Sequence, residues 1–216
     1  LLARAGAVPF RAAPGAAAEL SHEIPISCSR GGFSPAVAEM ALGLILSAFR
    51  KISDYHAAMR TGTEKWVQSF PKDIDPLERQ LTGRTVGIIG LGQVGRRLAH
   101  FLQAFEVKLK VADPFVPDPV LASFGGERME VDALIEACEV IVLCAASNVG
   151  TERLINADRC ARFRKNALFV NVARAALVDY EALAARLRKG DLIAALDVFE
   201  IEPLPAESEL RTLPNT

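Results

Sequence analysis

The segment from Thr85 to Asp113 constrains the fold of this chain more than any other stretch. It opens with an apolar, β-branched run and continues through the glycine motif Gly90-Leu91-Gly92-Gln93-Val94-Gly95. Apolar residues then recur at spacings of three and four, which predicts a helix, and a second apolar run ends in Asp113. A G-x-G-x-x-G sequence between a strand and a helix, with an acid after the next strand, is typical of dinucleotide-binding units.

Each position of the glycine motif has its own physical role. Gly90 permits the tight turn after the strand, and Gly92 lacks a Cβ, so that a pyrophosphate can approach the backbone. Gly95 lets the helix lie close to the strand. The first helical turn, which includes Gln93 and Val94, directs its free N–H groups and its dipole toward the phosphates.

Asp113 indicates which dinucleotide is bound. Its carboxylate is placed to accept hydrogen bonds from the adenosine ribose hydroxyls, as in NAD-binding members of this class of fold. A carboxylate at this position would repel a 2′-phosphate, so the sequence predicts NAD rather than NADP. The alternative is a tight turn in some other doubly wound domain, with Asp113 as an ordinary loop acid.

The rest of the chain alternates between apolar strands and helices, which predicts an α/β fold with a doubly wound parallel sheet of the Rossmann type. We expect strands at 139–144, 167–172 and 192–196 and helices at 131–137, 157–163 and 180–189, the last capped by Asp179. Ligands of such sheets bind outside the carboxyl ends of the strands. Asp113, Ala145, Arg174 and Asp197 all fall at those ends.

Two segments before the glycine motif have contrasting character. Ser34 and Pro35 predict the start of a helix, and the nearly wholly apolar run 36–49 predicts that this helix is buried on all sides. Residues 54–83 are polar and irregular and contain Trp66. A connection this long often serves a function or reaches a partner, and the alternative is a solvated linker with Trp66 packed locally.

Composition excludes several classes of partner. The formal net charge is −1, which gives no electrostatic basis for binding nucleic acid or an anionic membrane. The apolar stretch 40–46 is too short to span a bilayer. The four cysteines have no C-x-x-C spacing and lie in apolar surroundings, so we expect them to fill core rather than to form disulfides or a metal site. This usage favours a reducing, cytoplasmic location.

Three ordered patterns resemble the D-isomer-specific 2-hydroxyacid dehydrogenases. They are the glycine segment 87–95, the segment 171–179 with the sequence NVARAALVD, and the segment 195–205 with the sequence ALDVFEIEPLP. Residues 37–39, Trp66 and the Leu-Pro-Asn run at 213–215 also match, so the resemblance covers about 24–216. It implies that 34–216 form an NAD-binding domain and that 1–33 are a remnant of a second, substrate-binding domain.

The resemblance implies catalytic roles for Arg174 and Glu202. Arg174 would bind the substrate carboxylate and polarise the neighbouring 2-oxo group, a task that suits a planar guanidinium. From the residues alone, Arg174 could instead be a surface arginine that pairs with Asp179. Glu202 would orient a catalytic histidine and favour its protonated form, whereas without the motif Glu200 would be an equal candidate.

The same resemblance implies the remaining cofactor contacts. Asp197 would bind the nicotinamide carboxamide, and Ala145, Val172 and Ala173 would contact the cofactor through their backbones. The chain departs from the family pattern at two positions, with Ala175 in place of a glycine and Ala146 in place of a proline.

The resemblance also indicates where the family's catalytic histidine lies. That histidine lies in a Thr-Pro-His run, and by the resemblance this run falls beyond Thr216. His22, His56 and His100 do not correspond to it, and we interpret them as surface or packing residues.

These patterns predict an oxidoreductase that transfers a hydride between NAD and C2 of a 2-hydroxy/2-oxo acid, of the hydroxypyruvate or glyoxylate reductase or phosphoglycerate dehydrogenase type. The resemblance also implies a homodimer. The alternative is a non-catalytic, NAD(H)-sensing relative that acts as a corepressor. A short-chain dehydrogenase is excluded because its Tyr-x-x-x-Lys pair is missing: Met59 follows Tyr55 at that spacing, and Ala184 follows Tyr180.

Overall fold

The computed structural model describes residues 31–70 and 72–216, which form a six-stranded parallel sheet flanked by helices. The strands are β1 (Thr85–Ile89), β2 (Lys108–Ala112), β3 (Glu127–Arg128), β4 (Val140–Leu143), β5 (Ala167–Asn171) and β6 (Leu192–Leu196). The helices are α1 (Ser34–Arg50), α2 (Ile52–Thr61), α3 (Gln93–Gln103), α4 (Asp118–Ser123), α5 (Val131–Ala137), α6 (Ala157–Arg162) and α7 (Tyr180–Leu187), with 3-10 helices at Ala175–Leu177 and Glu209–Arg211.

The strand order is β3-β2-β1-β4-β5-β6, so the chain winds outward from β1 in one direction and then returns to continue in the other. Each parallel pair is joined by a crossover that contains a helix, as parallel pairing requires. The predicted doubly wound Rossmann sheet is therefore confirmed. The point where the winding reverses, between β1 and β4, is where such sheets leave a crevice for ligands.

The core has one layer on each face of the sheet, because successive residues of a strand point to opposite faces. On one face, Ile88 packs with residues of α1, α3 and α4, including Ile45 and Leu98. On the other face, Ile89 packs with residues of α5, α6 and α7, including Leu134 and Leu183. Both faces are thus covered, which explains why β1, β4 and β5 are buried along almost their whole length. Strand β2, by contrast, carries Lys108 and Lys110, and the edge strand β3 is exposed.

The register of the sheet aligns the carboxyl ends of five strands. Ile89 is paired with Ala112 on one side and with Leu143 on the other. Leu143 is paired with Asn171, and Asn171 with Leu196. The residue that follows each member of this row therefore lies at the same edge of the sheet, in the order Asp113, Gly90, Cys144, Val172 and Asp197.

Several local predictions agree with the structure. The helix at 131–137 and the strand at 192–196 are confirmed at both ends. The side chain of Asp179 accepts a hydrogen bond from the Ala182 N–H at 3.0 Å, which confirms the helix cap. Helix α7 then ends at Leu187, two residues earlier than expected. Cys138 and Cys160 are buried in the core, as predicted for cysteines that fill space.

Other predictions were wrong. Helix α1 is not buried on all sides: Ala38, Ala41, Ile45 and Phe49 are fully buried on one face, and the remaining apolar residues are at most partly covered by the described part of the chain. Its first residue is Ser34, which was expected to be the cap; the Ser34 hydroxyl instead donates to the Gly31 carbonyl at 2.7 Å.

The remaining differences are missed elements. The segment 54–83 was read as wholly irregular, but its first part belongs to α2. The short elements α4 and β3 were not predicted. Most of the remnant assigned to 1–33 lies outside the described residues. Within the described ranges, no helix is both long enough and apolar enough to cross a membrane.

Gly87 in the middle of β1 provides a test of this packing. A Cβ at this position would lie 2.4 Å from Cδ2 of Leu134 and 2.9 Å from Sγ of Cys138. Overpacking of this kind costs about 1–3 kcal/mol, so Gly87→Ala should lower the free energy of unfolding by that amount in urea titrations.

Gly43→Ala is the matched control, since an added Cβ there meets no atom within 4 Å and alanine favours the helix. This variant should be as stable as the parent chain or more so. Equal stability of Gly87→Ala and the parent would contradict the packing of α5 on β1.

Candidate functional site

A cleft of about 630 Å³ opens at the carboxyl edge of the sheet, among the loops that follow β1, β2 and β4. Its volume is in the range of ordinary ligand pockets. Six residues that the sequence predicted for cofactor binding line it together: Gly90, Gly92, Gln93, Val94, Asp113 and Ala145. The cleft therefore lies at the reversal of the strand order.

The three glycines of the motif stand in three different environments. At Gly90, where φ is +93°, a Cβ would lie 2.5 Å from the Cα of Ala145. At Gly95, a Cβ would lie 2.3 Å from the carbonyl oxygen of Gly90, so any larger residue would push α3 away from β1. At Gly92, by contrast, an added Cβ meets nothing within 4 Å, because this residue faces open space.

This geometry fits a dinucleotide. Gly92 is the N-cap of α3 and has no side chain that could accept a hydrogen bond. The N-cap therefore leaves the free N–H groups of the first helical turn without a side-chain acceptor. These N–H groups and the positive end of the helix dipole favour an anion at the cleft. A pyrophosphate could approach the backbone at Gly92 without a steric obstacle.

Asp113 connects the loop after β2 to the glycine loop. Its Oδ2 accepts a hydrogen bond from the Leu91 N–H at 2.8 Å, and its Oδ1 accepts one from the Phe115 N–H at 2.9 Å. The carboxylate is half-buried at the wall of the cleft. Each carboxylate oxygen has a further lone pair, so Asp113 can also accept from ribose hydroxyls.

The loop after β5 carries Arg174. Val172 and Ala173 are buried, whereas Arg174 is exposed and its Nη1 donates to the Ala173 carbonyl at 2.7 Å. The alternative ion pair between Arg174 and Asp179 does not form. Asp179 instead caps α7 and lies 3.7 Å from Nη1 of Arg153, which leaves the Arg174 guanidinium available at the edge of the sheet.

The loop after β6 carries Asp197 and Glu202. Asp197 is half-buried, and burial together with the nearby Glu202 carboxylate raises the pKa of its carboxyl group. Glu202 is exposed, and its Oε1 accepts a hydrogen bond from the Phe199 N–H at 3.0 Å. A hydrogen-bond donor such as an amide beside Asp197 would stabilise the charged form of this carboxylate.

A buried link between these two loops was missed in the sequence. Asn171 is fully buried; its Oδ1 accepts from the Ala173 N–H at 3.1 Å, and its Nδ2 donates to the Tyr180 hydroxyl at 3.4 Å. The Tyr180 hydroxyl donates to the Val198 carbonyl. Burial raises the pKa of Tyr180, so the hydroxyl stays a donor. The only sequence signal was an asparagine at the end of an apolar strand.

The predicted residues thus form two adjacent groups. The first group is the set of six residues that line the cleft. The second group does not line the cleft and consists of Val172, Ala173, Arg174, Asp197 and Glu202. They follow β5 and β6, the next two strands along the same edge. A dinucleotide that starts at Asp113 and extends along this edge would pass the glycine loop before reaching the second group.

Comparisons with known proteins agree with this architecture. The family model described as D-isomer specific 2-hydroxyacid dehydrogenase, NAD binding domain, matches residues 42–216. D-3-phosphoglycerate dehydrogenase of Methanocaldococcus jannaschii is 36% identical over 184 residues, which are 84% of this chain and 34% of that protein. Glyoxylate reductase of Thermofilum pendens is 33% identical over 198 residues, 89% of this chain and 56% of that protein.

Solved structures give the same result. A phosphoglycerate oxidoreductase from Rhizobium etli superposes with a TM-score of 0.79 at 30% identity, over 91% of this chain and 62% of that one. An NAD-dependent formate dehydrogenase from Staphylococcus aureus, in complex with NAD, gives a TM-score of 0.74 at 28% identity over 86% of this chain and 54% of that one.

The extent of these matches also matters. The chain spans between about a third and a little over half of the length of these two curated relatives. The family model, however, covers most of the chain, including the glycine motif and the loops that carry Arg174 and Glu202. The chain therefore belongs to the D-isomer specific 2-hydroxyacid dehydrogenase family, in which it matches the NAD-binding domain.

Proposed function

We propose that this chain is the cofactor-binding part of an enzyme that transfers a hydride between NAD and C2 of a 2-hydroxy/2-oxo acid. One observation supports this most strongly: the sheet register sets Arg174 and Asp197 beyond two neighbouring strands, at the same edge as the glycine loop. A group that binds a carboxylate and a group suited to a carboxamide are then adjacent along the path of the dinucleotide.

The first group of residues would hold the cofactor. The N–H groups at the start of α3, from Gln93 and Val94, would donate to the pyrophosphate, and Gly92 would keep the approach open. Asp113 would accept hydrogen bonds from the adenosine ribose. The backbones of Ala145, Val172 and Ala173 border the path toward the nicotinamide, and NAD supplies the hydride chemistry.

Arg174 would bind and polarise the substrate. A 2-oxo acid has a carboxylate next to a ketone, and a planar guanidinium can donate to both with a fixed geometry. The Arg174 guanidinium is available for this because, among the described residues, its side chain makes a single hydrogen bond, to the carbonyl of Ala173. Charge that develops on the ketone oxygen during reduction would then be stabilised.

The second group orients the reacting ends. Asp197 would accept from the nicotinamide carboxamide. Glu202 would orient a histidine side chain and favour its charged form, which can protonate the C2 oxygen, since a carboxylate stabilises a neighbouring imidazolium. His100 lies toward the C-terminal end of α3, opposite the end that borders the cleft, and neither His100 nor His56 lines the cleft.

The substrate class follows from the same chemistry. The relatives named above are a D-3-phosphoglycerate dehydrogenase and a glyoxylate reductase, so small 2-oxo acids are the substrates to test first. We also propose that the enzyme is cytoplasmic, in line with its buried free thiols Cys138 and Cys160.

Arg174 provides the central test. The complete protein should oxidise NADH with at least one of glyoxylate, hydroxypyruvate, pyruvate or a bulkier 2-oxo acid. Arg174→Ala should lower kcat/KM by about 10²–10³-fold, the usual effect of losing a donor to developing charge. Arg174→Lys should recover only part of this, because an ammonium lacks the guanidinium fork.

Arg153→Ala is the control, as this arginine is also exposed but pairs with Asp179. It should retain turnover. NADH binding in the parent protein without turnover of any 2-oxo acid would contradict the enzyme and favour the NAD(H)-sensing alternative. Turnover of formate with NAD would instead favour the chemistry named for the Staphylococcus aureus structure.

Tyr180 tests the link between the two catalytic loops. Tyr180→Phe removes the bonds to Val198 and Asn171 while keeping the ring, so kcat should fall about tenfold with little change in the NADH dissociation constant. Tyr55→Phe is the control, because the Tyr55 hydroxyl bonds Glu78 far from the edge of the sheet. Equal kcat values for the Tyr180→Phe variant and the parent would remove the positioning role.

We further propose that the protein is a homodimer formed through α2 and the segment after it. Large apolar side chains are exposed on this surface: Ile52, Met59, Trp66, Val67 and Phe70, with Trp66 70% and Phe70 80% exposed. An exposed apolar surface of this kind usually marks a contact with another protein.

Light scattering of the complete protein should therefore give the mass of two copies. A double variant, Trp66→Ala with Phe70→Ser, should shift the mass toward one copy. Val149→Ser, at a residue that is 94% exposed but lies after β4, should not. A monomeric parent protein at micromolar concentration would rule out the dimer.

A further inference from the structure

Arg128, at the end of β3, is the one cationic side chain among the described residues that line the cleft. The other charged residues of the lining are Asp113 and Glu130. The neutral ribose of NAD does not require a cation at this end of the cleft. The position of Arg128 beside the loop that carries Asp113 therefore needs an explanation.

The contacts of Arg128 show what restrains it. Its Nη1 donates to the carbonyl of Asp113, and its Nη2 donates to the carbonyl of Val116. Its charge is paired with Asp118 at the start of α4: Nη2 lies 2.7 Å and Nε 3.2 Å from Oδ1 of Asp118. The guanidinium thus spans the loop 113–118.

The carboxylate of Asp113 takes no part in this pair. Its two oxygens accept from the N–H groups of Leu91 and Phe115 instead. Asp113, Asp118 and Arg128 together carry one net negative charge at the adenosine end of the cleft. Asp113 would direct its charge to the ribose, and Asp118 neutralises the one cation of the described cleft lining.

We propose that Arg128 is a cofactor-specificity residue masked by Asp118, and that loss of the carboxylates of Asp113 and Asp118 converts the same edge into a site for a 2′-phosphate. This inference rests on the proposed binding of NAD at Asp113. It names Asp118, which does not line the cleft, as a second residue that sets the preference for NAD over NADP.

The physical reason lies in the backbone contacts. If Asp118 is replaced by Asn, the carbonyls of Asp113 and Val116 still hold the Arg128 guanidinium beside the loop. Its charge is then unpaired at the wall of the cleft. Guanidinium groups bind phosphates strongly through charge-assisted hydrogen bonds, and a phosphate ester contributes up to two negative charges. Once Asp113 is also neutral, the trio carries one net positive charge.

The test is a set of fluorescence titrations of the complete protein with NADH and with NADPH. Asp113→Asn alone should weaken NADH binding about tenfold, since it removes a charged acceptor for the ribose. Asp113→Asn with Asp118→Asn should bind NADPH at least about tenfold more tightly than Asp113→Asn alone. Adding Arg128→Gln to this double variant should abolish the gain.

Two controls separate this effect from a general disturbance. Glu127→Gln removes a neighbouring acid that pairs with Lys110 and does not line the cleft, so the ratio of the two affinities should stay as in the parent. Thermal unfolding at one fixed NADPH concentration is a second readout, and the double variant should gain more melting temperature from NADPH than the parent, Asp113→Asn or the triple variant. The gain should also decrease as salt is added, because the side chains of Arg128 and Asp118 are 37% and 86% exposed.

The outcomes are distinct. If the double variant binds NADPH no better than Asp113→Asn, or if the gain survives Arg128→Gln, the masking role of Asp118 is overturned while the cofactor site stands. If the parent protein does not bind NADH, the proposed function fails, and this inference fails with it.

Discussion

The close approach of helix α3 to strand β1 is the contact on which the site depends. It is possible because Gly95 lies against the carbonyl of Gly90, where a Cβ would come within 2.3 Å, and because Gly90 lies against the backbone of Ala145. Together these contacts pack the loops after β1 and β4 against the start of α3. This packing sets the positive end of the helix dipole at the cleft, beside the hydrogen bond from Leu91 to Asp113.

The parallel register extends this unit into a longer edge. Because the ends of five strands are aligned, the loops after β5 and β6 follow directly from the cleft that holds the glycine loop. The Asn171–Tyr180 link then couples the loop of Arg174 to the loop of Asp197. In the proposed function, cofactor recognition near Asp113 and substrate chemistry near Arg174 would be two separate tasks along this one edge.

Much of this could be predicted from the sequence, because the signals are local. Long apolar runs and the helix periodicity identify the strands and most helices, and the spacing of glycines with Asp113 identifies the cofactor unit. Short elements were missed: α4 and β3 have too few residues for a periodic pattern, and Pro117 and Pro119 made the stretch resemble a loop. The burial of α1 on one face alone also depends on its position over β5 and β6, which the composition of the helix does not determine.

The features that sequence reasoning missed at the site are tertiary. Nothing local to Arg128 indicates that it is paired with Asp118 and spans the loop of Asp113, since these contacts bring a strand end to the start of a helix. The sequence likewise identifies Tyr180 only as the start of α7. In the structure its hydroxyl connects Asn171, at the end of β5, to the carbonyl of Val198 in the loop after β6. Polar contacts of this kind depend on the register of the sheet, which single-sequence patterns do not specify.

The central claim is that NAD and a 2-oxo acid bind next to each other at one edge of the sheet. The most direct measurement is a fluorescence titration of the complete protein with NADH, with and without oxamate, an unreactive mimic of a 2-oxo acid. We predict saturable binding of NADH that oxamate tightens several-fold, because oxamate would contact both the bound nicotinamide and the guanidinium of Arg174. Absence of NADH binding, or an NADH affinity that oxamate leaves unchanged, would contradict the account.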